Sequence, residues 1–319
     1  DEARFVALQS KELIASGIKP QDIAVLYRAN FQSRALEEAF LREQVPYQVL
    51  GTKFFERKEV KDVLSYIRAA LNPETMIDYA RIINVPTRGI GKVTLARILA
   101  GQKDSLTPRM RERVELFEAL LNKIGVYARD HAPADVIKYI LKETGLEKEL
   151  VDGTEDDLER LENIKELATL STKYRNMEPL EGIEQLLADA ALASDQDSLE
   201  KKENAVKLMT VHAAKGLEFP YVFIVGLEQD LFPHTKMGNA RQSPEDAEEE
   251  RRLFYVALTR AERKVFLTHA TVRTIFGSQQ INVPSEFLTE IDPAYLDSEA
   301  AIESVDQSAP DHIEYLQLD

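Results

Sequence analysis

The sequence contains no cysteine in 319 residues, which excludes a disulfide framework and any metal site built on thiolates. Histidine is scarce as well. His131, His212, His234, His269 and His312 are too scattered to mark a cluster by spacing, so a metal held by protein ligands alone is not expected. No uninterrupted apolar run approaches the roughly 20 residues that span a bilayer, and Asp1 to Phe5 offer neither a basic n-region nor an apolar h-region. The expected compartment is therefore the cytoplasm. Net positive charge is missing too: at a formal −15 the chain cannot coat a nucleic acid through bulk charge, so any polyanion has to be held locally. No segment repeats at a fixed period. The first residue is Asp rather than Met, as expected of a chain that begins inside a longer one.

What is present suits two domains, or one domain with a large insertion: 44% of the residues are apolar. Much of the acidic excess lies in Glu143 to Glu203 and in Asp292 to Asp319, a stretch without Lys or Arg. The latter also lacks periodic apolar spacing and reads as an acidic tail or linker outside the fold. Near the start, "DIAVLYRA" is a β-type run, "SRALEEAFLREQ" has helical spacing behind Ser33 as an expected N-cap, and "VPYQVLG" is a second strand. Strand, helix, strand with short joins predicts a parallel α/β sheet. From Glu56 to about Asp197 the pattern becomes helical throughout, and after Asn204 strands return as "AVKLMTVHA", "YVFIVGL" and "KVFLTHA". Val222 to Val225 is a continuous apolar run, as expected of a central parallel strand buried on both faces. An α/β domain interrupted by an all-α insertion is the expected fold, with residues 1–63 and 204–291 in the first, 64–203 in the second, and 292–319 as the tail.

Three polar stretches stand out against this scaffold. In "LMTVHAAKGLEFPYVFIVGL" a turn between two strands gathers Thr210, His212, Lys215, Gly216 and Glu218, and the carboxyl edge of the sheet, where α/β folds place ligands, is their expected location. The plainer reading is a capped surface loop. In "EEERRLFYVALTRAERKVFL" a helix with Leu253, Val256, Ala257 and Leu258 on its buried face runs into a permanent cation, Arg260. The plainer reading there is an ion pair with one of Glu248 to Glu250 or with Glu262. In "PTRGIGKVTLARI" the turn of Gly89 and Gly91 leads into a helix whose first N–H groups are uncovered, and Lys92 and Thr94 add donors, so a phosphate of duplex DNA could bind without base recognition. A Gly-rich connection between helices is the alternative.

"TVHAAKGLEFPYVFIVGL" resembles motif V, and "EEERRLFYVALTRAERK" resembles motif VI, of the superfamily 1 DNA helicases of the UvrD, Rep and PcrA type. In the same order "LYRANFQSRALEEAF" resembles motif IVa, and "FFERKEVKDVLSYIRAALNP" with "NVPTRGIG" resembles the passage into the helical 2B subdomain. The resemblance implies a RecA-like domain 2A carrying 2B as an insertion, ATP in a cleft between 2A and a domain 1A, and single-stranded DNA across the top. It implies that Glu218 accepts hydrogen bonds from the ribose hydroxyls and that Arg260 reaches the γ-phosphate as an arginine finger. For single-stranded DNA it points to Arg28, Asn30, Ser33, Thr210 and His212 as donors to phosphate and to Phe276, beside Gly277, as a stacking face. The "GIG" turn resembles a helix-hairpin-helix contact to a duplex junction.

The phosphate-binding loop G-x-x-x-x-G-K-[ST] does not occur; "GIGKVT" comes nearest, with Val93 after Lys92. The resemblance therefore implies that the Walker A lysine and the Mg2+ ligands belong to an N-terminal half with domains 1A and 1B. The expected activity is that of an ATP-dependent 3′ to 5′ helicase as part of a full-length protein, with this chain inactive alone. A stand-alone DNA-binding module that keeps the 2A and 2B scaffold is the alternative. "VPSEFL" departs from the family in having Glu286 where Arg is usual.

Overall fold

The computed structural model describes residues 1–198, 204–234, 243–275, 278–297 and 315–317. The chain opens with α1 (Glu2–Ala15), β1 (Ile23–Tyr27), α2 (Ser33–Arg42) and β2 (Tyr47–Val49). Eight helices follow: α3 (Lys58–Leu71), α4 (Met76–Ile82), α5 (Lys92–Leu99), α6 (Pro108–Ala128), α7 (Pro133–Thr144), α8 (Leu146–Val151), α9 (Glu155–Ser171) and α10 (Pro179–Ser198). The remaining elements are β3 (Val206–Thr210), β4 (Phe219–Val225), α11 (Pro244–Leu258), β5 (Ala261–Leu267), β6 (Val272–Ile275), β7 (Ser278–Ile281), α12 (Glu286–Thr289), β8 (Leu296–Asp297) and β9 (Tyr315–Gln317). Two compact units result. Asp1–Phe54, Glu200–Thr274 and Gln279–Asp319 make up one, and Phe55–Leu199 with Ile275–Ser278 the other.

The first unit is a RecA-like α/β domain. Its sheet has the order β2-β3-β1-β4-β5-β9-β8, and the five strands from β2 to β5 run parallel. Alternate side chains of one strand face opposite sides of a sheet, and both sides here are apolar. Ile23, Val25 and Tyr27 of β1 pack with Phe5 and Val6 of α1 and Leu36 and Phe40 of α2. Ala24 and Leu26 face the other way, onto Leu253, Phe254 and Ala257 of α11. Val222 to Val225 lies in β4 between β1 and β5, at most 2% exposed, in keeping with its unbroken apolar sequence.

The second unit is built from α3 to α10. Val60, Val63 and Ile67 of α3, Phe117 and Ile124 of α6, Val136 and Ile140 of α7, and Ile164 and Leu167 of α9 are each at most 1% exposed. Gly125 lets α6 approach α3 closely: a Cβ there would sit 2.5 Å from the carbonyl oxygen of Ala70. Buried polar atoms are paired across helices, as when Asn163 accepts from Arg57 Nη1 at 2.5 Å and donates to Glu59 at 2.7 Å.

Three sequence expectations are corrected. The first compact unit ends at Phe54 rather than at residue 63, because α3 is a single helix that packs on α4, α6 and α9. Ser33 does not cap α2: it is the helix's first residue, follows a short turn over Asn30–Gln32, and is 0% exposed. The segment from 292 is not wholly outside the fold, since β9 pairs antiparallel with β5 and β8 with β9. Without them β5 would be an open edge with a row of unpaired backbone groups.

One buried cluster has no local sequence signal. Past the carboxyl ends of β4 and β5, Arg273 donates from Nε to Glu228 Oε2 at 2.9 Å and from Nη2 to Glu2 Oε2 at 2.6 Å. Glu2 also accepts from Gly226 N–H at 2.8 Å and the Thr268 hydroxyl at 2.7 Å, and Glu228 from Ala270 N–H and Asn282. Burial pushes the Glu2 carboxyl up, but Arg273 and these hydrogen bonds outweigh it and hold the group below its ordinary 4.5. A depressed folded value means that the stabilisation is complete above the unfolded value and is lost as pH falls. Arg273→Met, which strands two buried carboxylates, should lower the unfolding free energy by about 3–5 kcal/mol at neutral pH. Denaturant titration checks this, and the deficit should shrink as pH falls below 4.5. A midpoint equal to the parent's at neutral pH would remove the cluster from the account.

Candidate functional site

In the α/β unit the candidate residues fall on two opposite edges of the sheet. Because β3 and β4 run parallel, the chain that leaves β3 at Thr210 must return to the other edge before entering β4 at Phe219. It does so in the eight residues 211–218. Thr210 and His212 therefore lie at the carboxyl edge, and Glu218 lies at the amino edge. The sequence expectation that placed the whole turn at the carboxyl edge is corrected on this point.

Arg260 joins Glu218 at the amino edge. Helix α11 starts at Ser243, whose hydroxyl accepts from Asp246 N–H at 3.1 Å, with Pro244 in the first turn, and it ends where Arg260 N–H bonds Ala257 O at 3.1 Å. Phe219 N–H then donates to Arg260 O at 2.9 Å, which sets the first residues of β4 and β5 side by side. Among the described residues the guanidinium has no carboxylate partner. Its Nε donates to Val256 O at 3.0 Å, Nη1 to Leu217 O at 2.8 Å and Nη2 to Thr259 Oγ1 at 3.1 Å. Of the acidic residues considered as its partners, Glu250 binds Arg28, and Glu248 and Glu249 lie 2.6 and 3.7 Å from Arg252. Three of the five guanidinium N–H groups are thus used, which leaves one on each terminal nitrogen. Glu218 is exposed beside it.

At the carboxyl edge the picture is mixed. Arg28 follows β1 directly, and its Nε and Nη2 are held by Glu250 of α11 at 2.6 to 3.1 Å, the two side chains being 14% and 8% exposed. Nη1 is the nitrogen left for a phosphate oxygen, and the carboxylate offsets much of the cation's charge. Asn30 is half-buried, whereas Ser33 is fully buried and offers no oxygen in this packing. Thr210 is half-buried, and its Oγ1 accepts from Ala213 N–H at 3.2 Å. His212 is exposed at the start of the turn. Arg28, Asn30, Thr210 and His212 are therefore neighbours in the fold, along the ends of the adjacent strands β1 and β3. Phe276 and Gly277 lie outside the described residues.

In the helical unit the "GIG" turn is exposed except for Ile90, which is 3% exposed and anchors it. Gly89 needs its left-handed φ of +67°, and a Cβ there would meet Arg113 Nη1 at 2.1 Å, so the end of that arginine would have to move aside. Gly91 caps α5 at its N-terminus with φ −82°, and nothing lies within 4 Å of where its Cβ would be. Lys92 is exposed and Thr94 half-buried. The turn rests on residues that sequence reading passed over. Asn84 Oδ1 accepts from Arg88 N–H at 2.8 Å and Ile90 N–H at 3.2 Å. The Arg88 guanidinium donates to Val85 O at 3.0 Å, Ile82 O at 3.1 Å and Tyr66 Oη at 2.7 Å, and it lies 5.0 Å from the Phe117 ring centroid. Burial pushes the Tyr66 hydroxyl up to about 12, against the pull of Arg88, so it keeps its proton and donates to Val85 O. The signal that could have found Arg88 is its place between Pro86 and Gly89; for Glu250, far from Arg28 in sequence, there was none.

Residues 1–271 match the UvrD-like helicase C-terminal domain. The chain is 39% identical over 326 residues to the ATP-dependent DNA helicase PcrA of Staphylococcus aureus, a match that covers 94% of this chain and 44% of that protein. A similar match, 39% over 324 residues, covers 93% of this chain and 43% of the PcrA of Staphylococcus epidermidis. The chain thus spans less than half the length of the curated relatives it matches. Among the described residues no helix is long and apolar enough to cross a membrane. With the RecA-like sheet, the helical insertion and the family match in agreement, the chain belongs to the UvrD-like helicase C-terminal family.

Proposed function

We propose that the α/β unit is the second motor domain, 2A, of an ATP-dependent DNA helicase that moves 3′ to 5′, and that the helical unit is its inserted 2B. The observation that carries this reading is Arg260: a cation at the mouth of two parallel strands, held by no carboxylate among the described residues, with one N–H left on each terminal nitrogen and an exposed glutamate beside it. A guanidinium fork in that state suits two oxygens of a γ-phosphate, and an acceptor-only carboxylate suits the ribose hydroxyls. ATP would then bind with its base and sugar toward Glu218 and its terminal phosphate toward Arg260. The phosphate-binding loop and the ligands of Mg2+ are assigned to the N-terminal half, with domains 1A and 1B. Arg28, Asn30, Thr210 and His212 are assigned to the backbone of single-stranded DNA, Phe276 to a base, and Gly89, Gly91, Lys92 and Thr94 to the phosphates of a duplex junction. Ser33, fully buried, is left out of the DNA contacts.

Two experiments on a protein carrying both motor halves test the reading. Lys cannot reproduce the fork, so Arg260→Lys and Arg260→Ala should both lower kcat for ATP on the order of 10³-fold, with single-stranded DNA affinity and melting temperature unchanged. Near-normal turnover in Arg260→Ala would contradict the catalytic role. For the insertion, Gly91 is the cleaner probe, because a side chain at Gly89 deforms the turn itself. Gly91→Leu should weaken binding to a duplex junction by about tenfold, the equivalent of one charge-assisted contact, and leave ATPase stimulated by single strands intact. An equal loss of both would assign the turn to holding the fold.

A further inference from the structure

Arg260 is fixed by three acceptors, and only one of them is a side chain. Val256 O and Leu217 O belong to the backbone; the third acceptor is the hydroxyl of Thr259. That hydroxyl is itself oriented, because it donates its one proton to Val256 O at 2.9 Å, which turns its lone pairs toward Arg260 Nη2 at 3.1 Å. The same Val256 carbonyl receives Arg260 Nε at 3.0 Å, so hydroxyl and guanidinium share one helix-end acceptor and close a small ring of hydrogen bonds. Thr259 sits at the end of α11 with φ −73°, and its own N–H is bonded to Tyr255 O at 3.0 Å. Its β-branch restricts χ1, which keeps the hydroxyl from swinging away.

From this arrangement we propose that Thr259 is a positioning residue for Arg260. Its hydroxyl holds Nη2 so that the guanidinium plane is set before a nucleotide arrives, with one N–H on each terminal nitrogen kept for the phosphate. A long arginine side chain at a half-exposed position otherwise samples many rotamers, and a fork that must be ordered at the moment of reaction loses rate. The inference rests on the assignment of Arg260 to the γ-phosphate. Thr259 touches no reacting atom and acts through its neighbour alone. A role limited to ending the helix would affect stability; a role through Arg260 affects turnover.

The test uses the full-length protein and measures ATP turnover at saturating single-stranded DNA, together with KM for ATP, DNA affinity and melting temperature. Thr259→Val keeps the shape and removes the hydroxyl, and kcat should fall on the order of ten- to a hundredfold, with KM, DNA affinity and melting nearly unchanged. Thr259→Ala should match it without the added methyl, and Thr259→Ser should restore most of the loss. In an Arg260→Ala background, Thr259→Val should cost nothing further, because the group it orients is gone. If Arg260→Ala is inactive while Thr259→Val and Thr259→Ala turn over within about twofold of the parent, the positioning role is overturned and the arginine finger stands. A full additional loss in the double variant also overturns it. If Arg260→Ala itself turns over normally, the functional assignment fails first.

Discussion

The constraint on which this fold depends is the parallel run of β2, β3, β1, β4 and β5. In a parallel sheet each connection must carry the chain from the carboxyl edge of one strand to the amino edge of the next. That geometry separates residues that are close in sequence. Thr210 and Glu218 are joined by a short crossover, yet they lie on opposite edges of the sheet. The same rule brings distant residues together: Arg260 arrives at the amino edge by way of α11 and meets the end of the crossover through Leu217 O and Phe219 N–H. One edge thus gathers a cation and a carboxylate, and the other a set of hydrogen-bond donors. The crossover is the covalent link between them, and its last carbonyl but one holds the arginine.

Helix α11 ties the edges together a second time. Glu250 binds Arg28 beyond β1, while the end of the same helix presents Thr259 and Arg260. Leu253, Phe254 and Ala257 press it onto the sheet between these points.

Much of the scaffold was legible in the sequence, for reasons that can be named. The apolar run of β4 is unbroken because that strand is covered on both faces, and the helices of the insertion show their 3.6-residue spacing because each has one apolar face. Arg260 stood out because a buried helix led straight into a permanent cation. Its neutral acceptors could not be read, since two of them are backbone carbonyls and Leu217 is remote in sequence. Glu218 was misplaced because five polar residues in one turn look like one cluster until the direction of the next strand is known. Ser33 looked like a helix cap, and the short turn over Asn30–Gln32 moved the helix start past it. The segment after residue 291 looked like a tail because its strands are only two and three residues long, too short to show alternation.

The central claim is that nucleotide and DNA are served by opposite edges of one sheet. It is tested most directly by measuring KM for ATP and single-stranded DNA affinity for Glu218→Ala and His212→Ala in the full-length protein. The account predicts a crossed result: Glu218→Ala raises KM for ATP and leaves DNA affinity alone, and His212→Ala weakens DNA binding and leaves KM at saturating DNA alone. Equal shifts of both quantities in both variants would contradict it.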